Sequence, residues 1–568
     1  MKTYANPINL EYQYQVQDHG KKPPKQPYRS AADPSFTTYC GRYFVFASWS
    51  RGYFHSDDLV NWNYIRTKSL PEKAVEVAPA SEVIDGKIYC TDAGVKSPFY
   101  ASSDPLNDKW EFVNNPMDLG DPALFCDDDG RVYIYQNRQN FTAPDGTIVH
   151  HVIIGAELDA KTFELKSEWK VLIDPRQETR GWERIYVPGT TEFNHGWNEG
   201  AEMNKYHGKY YLHYATAGTE NPGYADCFAI SDSPLGDFVV SASNPFSLKT
   251  EGFMCGSGHG TNDVDQFGNH WHFTNMVIAD KHPWERRIGL FPTFIDRDGI
   301  LHSDTRFGDY PHRIPDCRLE KETDLFLGWM LQSFGAEAKA SSELENHPAR
   351  LVVEESSRSY WIAADRNPAT VELKLQQVSE IHTIQVNFME HEADPHQEYL
   401  PSYMVEASLD GIEWKVIVDE RNAKRDLAHP YYEMAQPIQG QYFRLTIYRM
   451  SGNGYPAVRA LRLFGTTNEV PAPSAANPIE ITRAPGSFDN TVVKLRWKLP
   501  EYADGCNVLW GIAPDKLYQC ATIYGEEKQI TSLLKDQPYY FALEFFGRGG
   551  VAPKSDIFEP FATLARKE

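Results

Sequence analysis

The sequence predicts an all-β chain: a five-bladed β-propeller followed by two smaller β-sandwich units. Three observations point there. Aromatic residues make up 13% of the chain (32 Tyr, 30 Phe, 13 Trp), and 39 Gly and 37 Pro break it at short intervals, which suits many short strands joined by turns. One two-strand formula recurs between about residues 28 and 310. The texture then changes twice, near residue 330 and at the Pro/Ala/Ser-rich linker VPAPSAANP.

The recurring formula is a short acidic or Pro-containing turn, an alternating apolar strand, a Gly-containing turn and an aromatic-rich strand. Its instances are AADPSFTTYCGRYFVFAS, VAPASEVIDGKIYCTDA, LGDPALFCDDDGRVYIYQ, NEGAEMNKYHGKYYLHYA and GHGTNDVDQFGNHWHFTN. Each reads as a hairpin around a CG, DG, HG or FG turn. Five irregular repeats fit a radial propeller better than a sandwich, because a propeller fixes the innermost strand of each sheet and tolerates variation outside it. The first residues of the five inner strands should then converge on the axis. Those residues are Asp33, Pro79, Asp121, Glu199 and His259. An isolated Asp-Pro usually just makes a turn, but recurrence at one blade position argues for a shared pocket.

After the propeller, assigned to residues 1–330, the stretch 331–468 forms a second β-rich unit. The remaining residues, 469–568, carry the alternating strands VVKLRWKL, CNVLWGI and YYFALEFF and read as a small seven-strand sandwich. A chain of 568 residues is too long for one core, which agrees with this division.

Composition narrows the partners. A formal charge of -22 without any Lys/Arg-rich tract argues against nucleic acid, while neutral glycans, gripped by hydrogen bonds and aromatic faces, remain compatible. No stretch approaches the roughly 18 apolar residues of a membrane-spanning helix. The opening MKTYANPINLEYQYQ lacks the apolar core of a signal peptide, as it would if a leader had been removed. The eight cysteines show neither a CxxC pair nor zinc-ligand spacing and read mostly as buried thiols, with Cys506 against Cys520 open as a pair.

The acids at the axis suggest glycoside hydrolysis, which needs one carboxylic acid to protonate the leaving oxygen and one carboxylate to activate water or attack carbon. Asp33, in a rigid turn with Pro34, suits the ionised base. Glu199, in the aromatic setting HGWNEGAEM, suits an acid whose pKa burial raises. Asp121 would hold the proton on Glu199 by like-charge coupling. Base and acid roughly 6.5 to 9.5 Å apart would give inversion of anomeric configuration.

The motifs AADPSF, GDPALFCDDDGRVYIY, NEGAEM with HGKYYLHYA, and GHGTNDVDQFGNHWHF resemble, in order, the blade motifs of family 43 glycoside hydrolases. The resemblance implies Asp33 as general base, Asp121 as pKa modulator and Glu199 as general acid. ERRIGLFPTFIDRDG resembles the last-blade segment whose Arg grips sugar hydroxyls. Counting back from Pro292 favours Arg286, with Arg287 as the alternative, and Glu285 stands where the family usually has Gly. The resemblance also implies an axial role for His259 beside a Ca²⁺ with mostly water ligands, although a lone His more often belongs to a hydrogen-bonded core. Glu199-Gly200-Ala201 replaces the family's common Glu-Gly-Pro, and Glu202 faces away from Glu199 on a strand. Trp49, Trp182 and Trp197 are candidate sugar platforms, with Trp49 and Trp197 nearer the pocket, and each could equally be blade packing.

YMVEASLDGIEWKVI, QYFRLTIYRM and AVRALRLFG resemble a discoidin or coagulation-factor type C domain, similar to family 32 carbohydrate-binding modules, with Trp361 and Tyr399 as possible sugar contacts. Residues 472–562 resemble a fibronectin type III module. The implied function is an exo-acting hydrolase of polysaccharide side chains, secreted to the periplasm or outside the cell. α-L-Arabinofuranosidase is the first expectation, and β-xylosidase, galactosidase, galactofuranosidase and endo-arabinanase occur on the same triad. From another class, the chain could be a non-catalytic glycan binder, for which the three acids would be superfluous. Related propellers that act on anhydro-sugars or transfer mannosyl groups to phosphate are a further rival.

Overall fold

The computed structural model describes residues 2–15, 27–71, 75–142, 146–187, 192–397, 399–475, 480–483 and 490–558. Among them there is no α-helix, only strands and four short 3-10 turns.

Five four-stranded antiparallel sheets follow one another in chain order. Blade 1 is Ala32–Tyr39, Arg42–Ser48, Gly52–Ser56 and Trp62–Arg66; blade 2 is Ala80–Ile84, Lys87–Thr91, Gly94–Asp104 and Lys109–Leu119. Blade 3 is Ala123–Cys126, Val132–Thr142, Ile148–Leu158 and Lys170–Ile173. Blade 4 is Asn198–Tyr206, Lys209–Thr216, Ala225–Ser231 and Val239–Val240, with Ser247–Leu248 also paired to its third strand. Blade 5 is Cys255–Val264, His270–Val277, Arg286–Ile295 and Leu301–Ser303. The first strand of each blade touches the first strands of its two neighbours, and blade 5 returns to blade 1, so the five inner strands close a ring. The N-terminal strand Lys2–Tyr4 pairs with His312–Ile314 beyond blade 5.

Each inner strand carries a left-handed residue in its first half or two residues ahead of it: Asp33 (φ 50°), Ala78 (φ 40°), Asp121 (φ 39°), Gly200 (φ 61°) and His259 (φ 54°). In blades 1, 4 and 5 the pairing with the second strand slips at this point, between Ala32 and Ser35, Glu199 and Glu202, and Gly258 and Thr261. These are β-bulges, which bend a strand and re-aim its side chains. The recurrence corrects the expected ring in two places. The blade 2 member is Ala78 and not Pro79, because the left-handed residue precedes the proline as in Asp33-Pro34 and Asp121-Pro122. Glu199 sits one residue ahead of the left-handed position, which Gly200 takes. A Cβ on Gly200 would lie 2.6 Å from His259 Cγ, so glycine is what admits the His259 ring.

The second unit is one eight-stranded sheet in the order Met330–Leu331, Ala457–Thr466, Ala369–Phe388, Tyr431–Arg449, Ser402–Ser408, Lys415–Glu420, with Glu337–Ala340 and Trp361–Ile362 added at its sides. The strands of 20 and 19 residues change register midway and so pass from one layer of the sandwich to the other around a single core. The third unit packs a three-stranded sheet (Glu480–Arg483, Val493–Arg496, Glu527–Ile530) on a four-stranded one (Gln519–Ile523, Gly505–Gly511, Tyr540–Gly547, Gly550–Val551). Its core runs on into blade 4 through Ala225 and Leu248. All eight cysteines are free, including Cys506 and Cys520. In the loop TRFGDYP, Phe307 and Tyr310 are buried with Met330, Phe464 and Phe546 where the three units meet. Trp361 is fully buried, its Nε1 donating to the Ser342 carbonyl at 3.0 Å, and so supports the sandwich instead of contacting sugar; Tyr399 is exposed.

Candidate active site

The left-handed residues of blades 1, 3 and 5, together with the residue before that of blade 4, bring Asp33, Asp121, His259 and Glu199 together. Arg286, at the start of the third strand of blade 5, reaches across to them.

Asp33 is 6% exposed and held on both oxygens. Arg286 donates from Nη1 to Oδ1 at 2.7 Å and from Nη2 to Oδ2 at 3.3 Å. Asn275 Nδ2 donates to Oδ1 at 2.8 Å, and the Asn275 Oδ1 accepts the Asp33 backbone N–H at 2.7 Å. Ser48 Oγ donates to Oδ2 at 2.6 Å while accepting the Ala78 N–H at 2.7 Å, which fixes the direction of its own proton. Burial pushes the Asp33 carboxyl up, but Arg286, His259 and these donors outweigh it and hold the group below the usual carboxylate range. Asp33 is ionised at neutral pH.

Glu199 is tuned the other way. Burial, and then the charge of Asp121, push its carboxyl up to about 7, against the opposing pull of His259 and of the Tyr224 hydrogen bond. Trp197 Nε1 donates to Oε2 and Tyr224 Oη to Oε1, both at 2.7 Å. Because Tyr224 donates to the ionised carboxylate, Tyr224→Phe is expected to raise the pKa of Glu199 further. The alkaline limb of the pH–rate profile should then move to higher pH, with kcat reduced by about tenfold as the acid loses a tether.

Asp121 is raised by burial, with His259 opposing and the Asp33 charge adding to the rise. It takes a hydrogen bond from the Gly200 backbone N–H and one from Asn137 Nδ2 at 3.3 Å. Asp121 therefore touches the backbone next to Glu199 and repels its ionised form. His259 Nδ1 lies 3.4 Å from Asp33 Oδ1. Burial works against its protonation, but the surrounding carboxylates, Asp33 first, then Asp121, Glu199 and Asp226, leave its pKa raised. Asp226, fully buried, pins the His259 turn by accepting the N–H groups of His259 and Gly260 at 2.8 Å each, and lies 2.9 Å from His272 Nε2.

Arg286, not Arg287, is the arginine of the site, since Arg287 is fully buried and turned away, its Nε donating to His429 Nε2 at 2.7 Å. Arg286 also donates to Thr219 Oγ1 at 2.8 Å, so Asp33 and Thr219 already occupy one edge of its guanidinium. The three tryptophans resolve differently. Trp49 is 8% exposed, with the Arg286 guanidinium 5.1 Å from its ring and Trp284 stacked at 5.6 Å; it supports Arg286, and the more open ring of the pair is Trp284, 37% exposed. Trp182 is buried with its Nε1 on Tyr214 Oη and belongs to blade packing. Trp197 orients the acid. Sequence reasoning missed Ser48, Asn275, Tyr224 and Asp226. Ser48 and Asn275 share a signal: each is a short polar residue near the end of a second strand, in FAS and TN.

Among the described residues no cluster of three or more His, Cys, Asp or Glu is arranged to hold a metal ion. A hard cation such as Ca²⁺ beside His259 would thus depend on water for its oxygen ligands.

Residues 27–301 match the sequence model of glycosyl hydrolases family 43, and residues 337–461 match that of the F5/8 type C domain. Residues 27–301 are a family 43 domain. A beta-xylosidase from Xylanibacter ruminicola is 25% identical over 152 residues, which cover 25% of this chain and 44% of that protein. A putative beta-xylosidase from Escherichia coli is 28% identical over 218 residues, 33% of this chain and 36% of the relative. The chain thus spans less than half the length of these two curated relatives. A solved thermostable family-43 glycoside hydrolase is 23% identical with a TM-score of 0.43, covering 56% of this chain and all of the other. The family 43 domain accounts for all five blades, and the F5/8 type C domain for the long-stranded sandwich. No helix of the described residues is long and apolar enough to cross a membrane.

Proposed function

We propose that the chain is an inverting glycoside hydrolase that releases terminal sugars from polysaccharide side chains. The observation that carries this reading is the opposite tuning of two acids in one buried cluster: Asp33 held ionised, Glu199 pushed up to about 7. In the reaction, Glu199 gives its proton to the glycosidic oxygen as the bond to the anomeric carbon breaks. Asp33 takes a proton from the water that attacks the opposite face, and Asp121 favours return of a proton to Glu199 between turnovers. An Asp33 carboxylate wrapped by Arg286, Asn275 and Ser48 suits a fixed base better than a nucleophile, because those donors withdraw charge from the oxygens that would attack carbon.

For the sugar, α-L-arabinofuranoside is the first proposal. β-Xyloside is the second, favoured by the beta-xylosidase names of both curated relatives. A hydrated Ca²⁺ at His259 belongs to the reading as a source of fixed positive charge, and the proton transfers are carried by the residues above. A periplasmic or extracellular location is part of the same proposal, because it is where polysaccharide side chains would be met. The test is proton NMR of the sugar freshly released from arabinan, arabinoxylan, arabinogalactan, galactofuranan and aryl xylosides. The expected product has the anomeric configuration opposite to that of the bond cleaved. Retention would overturn the single-displacement mechanism, and no release from any substrate would favour the non-catalytic glycan binder.

A further inference from the structure

We infer that the F5/8 type C domain positions the catalytic base, with Arg459 as the key positioning residue; the inference rests on the reading of Asp33 as that base. Arg286 is flanked in sequence by Glu285 and Arg287, both fully buried. On a strand, neighbours point to the opposite face, so the two residues beside the one that grips Asp33 face away from the pocket and into the second domain. Glu285 Oε1 accepts Arg459 Nη2 at 2.9 Å, and the other arm of the buried Arg459 meets Asp280 Oδ2 at 3.3 Å and the Ser357 carbonyl. Arg287 Nε donates to His429 Nε2, so the His429 proton must sit on Nδ1, 2.8 Å from Asn387 Oδ1. Burial and then the charge of Arg287 lower the His429 pKa and keep the ring neutral, as that pattern requires.

The strand before Asp33 is anchored in the same way. Arg29 Nε lies 3.0 Å from Glu390 Oε1, and its Nη2 is 2.7 Å from Asp426 Oδ1, both acids belonging to the second domain. Between the two anchors, Ser30 Oγ donates to the Trp284 carbonyl at 3.0 Å and accepts the Arg286 N–H at 3.3 Å. The segments carrying the base and its arginine are thereby tied to each other and to the second domain.

Arg29, Glu285 and Arg287 on the propeller and Glu390, Asp426 and Arg459 on the sandwich are charges that neither surface could bury alone. A packed apolar contact would join two domains at lower desolvation cost. What the ionic lattice adds is a fixed register at residues 284–287, and the register sets where Arg286 meets Asp33. Glu285, where the family usually has Gly, is the propeller's half of the Arg459 contact.

The test uses the full chain. In Arg459→Met, kcat should fall about tenfold or more with KM within about threefold, as expected when a reacting group is misplaced by under an ångström. The Asp33 carboxyl, followed by carbon-13 NMR titration, should titrate at higher pH as the Arg286 contact loosens. The groups that set its titration are Arg286, His259, Asp121 and Glu199, with Ser48 and Asn275 as donors, and only the placement of Arg286 is altered. Should the lone buried Glu285 prevent folding, Glu285→Gln with Arg459→Met removes both charges and carries the same expectation. Arg459→Lys, which keeps the charge, should recover part of the kcat and part of the titration shift. Native kcat and native Asp33 titration in the folded double variant, or an Arg459→Lys as impaired as Arg459→Met, would overturn the inference. The NMR titration needs no substrate, so an unmodified chain that hydrolyses no glycoside would count against the hydrolase reading alone.

Discussion

Glu199→Gln is expected to lower kcat on natural linkages by roughly 10²–10⁴-fold, because the amide keeps the shape of the side chain and has no proton to donate. The loss should be smaller on aryl glycosides with good leaving groups, whose departing oxygen needs little protonation. KM should change little, since Trp197 and Tyr224 still have an amide to contact. The alkaline limb of the pH–rate profile should disappear with the acid that causes it. Steady-state kinetics on a leaving-group series checks all of these together. An equal loss across the series would mean that Glu199 does not protonate the leaving oxygen.

The second large effect is expected of Asp33→Ala. Removing the base should cost roughly 10²–10⁴-fold in kcat, and unlike the Glu199 change it should also destabilise the fold. Arg286 is left buried against the Trp49 and Thr219 side chains without its counter-ion, a situation that typically costs about 3–5 kcal/mol. The His259 pKa should drop, because Asp33 is the leading carboxylate that raises it. Activity, thermal denaturation and NMR titration of the His259 ring give three readouts. A variant as stable as the parent would show that Arg286 does not depend on Asp33.

Much of this site was legible because its carriers are local. An Asp-Pro turn, an alternating strand and a Gly hairpin lie within about fifteen residues of each other, so the inner strands and Asp33, Asp121 and Glu199 could be read from the repeat. Arg286 was preferred over Arg287 from its spacing to Pro292, and strand alternation turns the two to opposite faces. Other features depend on partners far away in the chain. The left-handed turn that puts Ala78 in place of Pro79 is visible only once the backbone angles are known. Tyr224 reaches Glu199 from a loop 25 residues later, and Asn275 reaches Asp33 across 242. Trp49 illustrates a different limit: a tryptophan beside a pocket has the same sequence signature whether it faces sugar or carries an arginine.

The pairing of an ionised Asp33 with a protonated Glu199 is tested most directly by the pH dependence of kcat/KM in the unmodified chain and in Glu199→Gln. Asp33 works only when deprotonated, so activity should fall on acidification only below the usual carboxylate range. Glu199 works only when protonated, so activity should fall as pH rises through about 7. The expected profile is a bell with its alkaline side near neutrality, with residual activity in Glu199→Gln that stays level as pH rises through that range. An alkaline limb at the same pH in both proteins would contradict it.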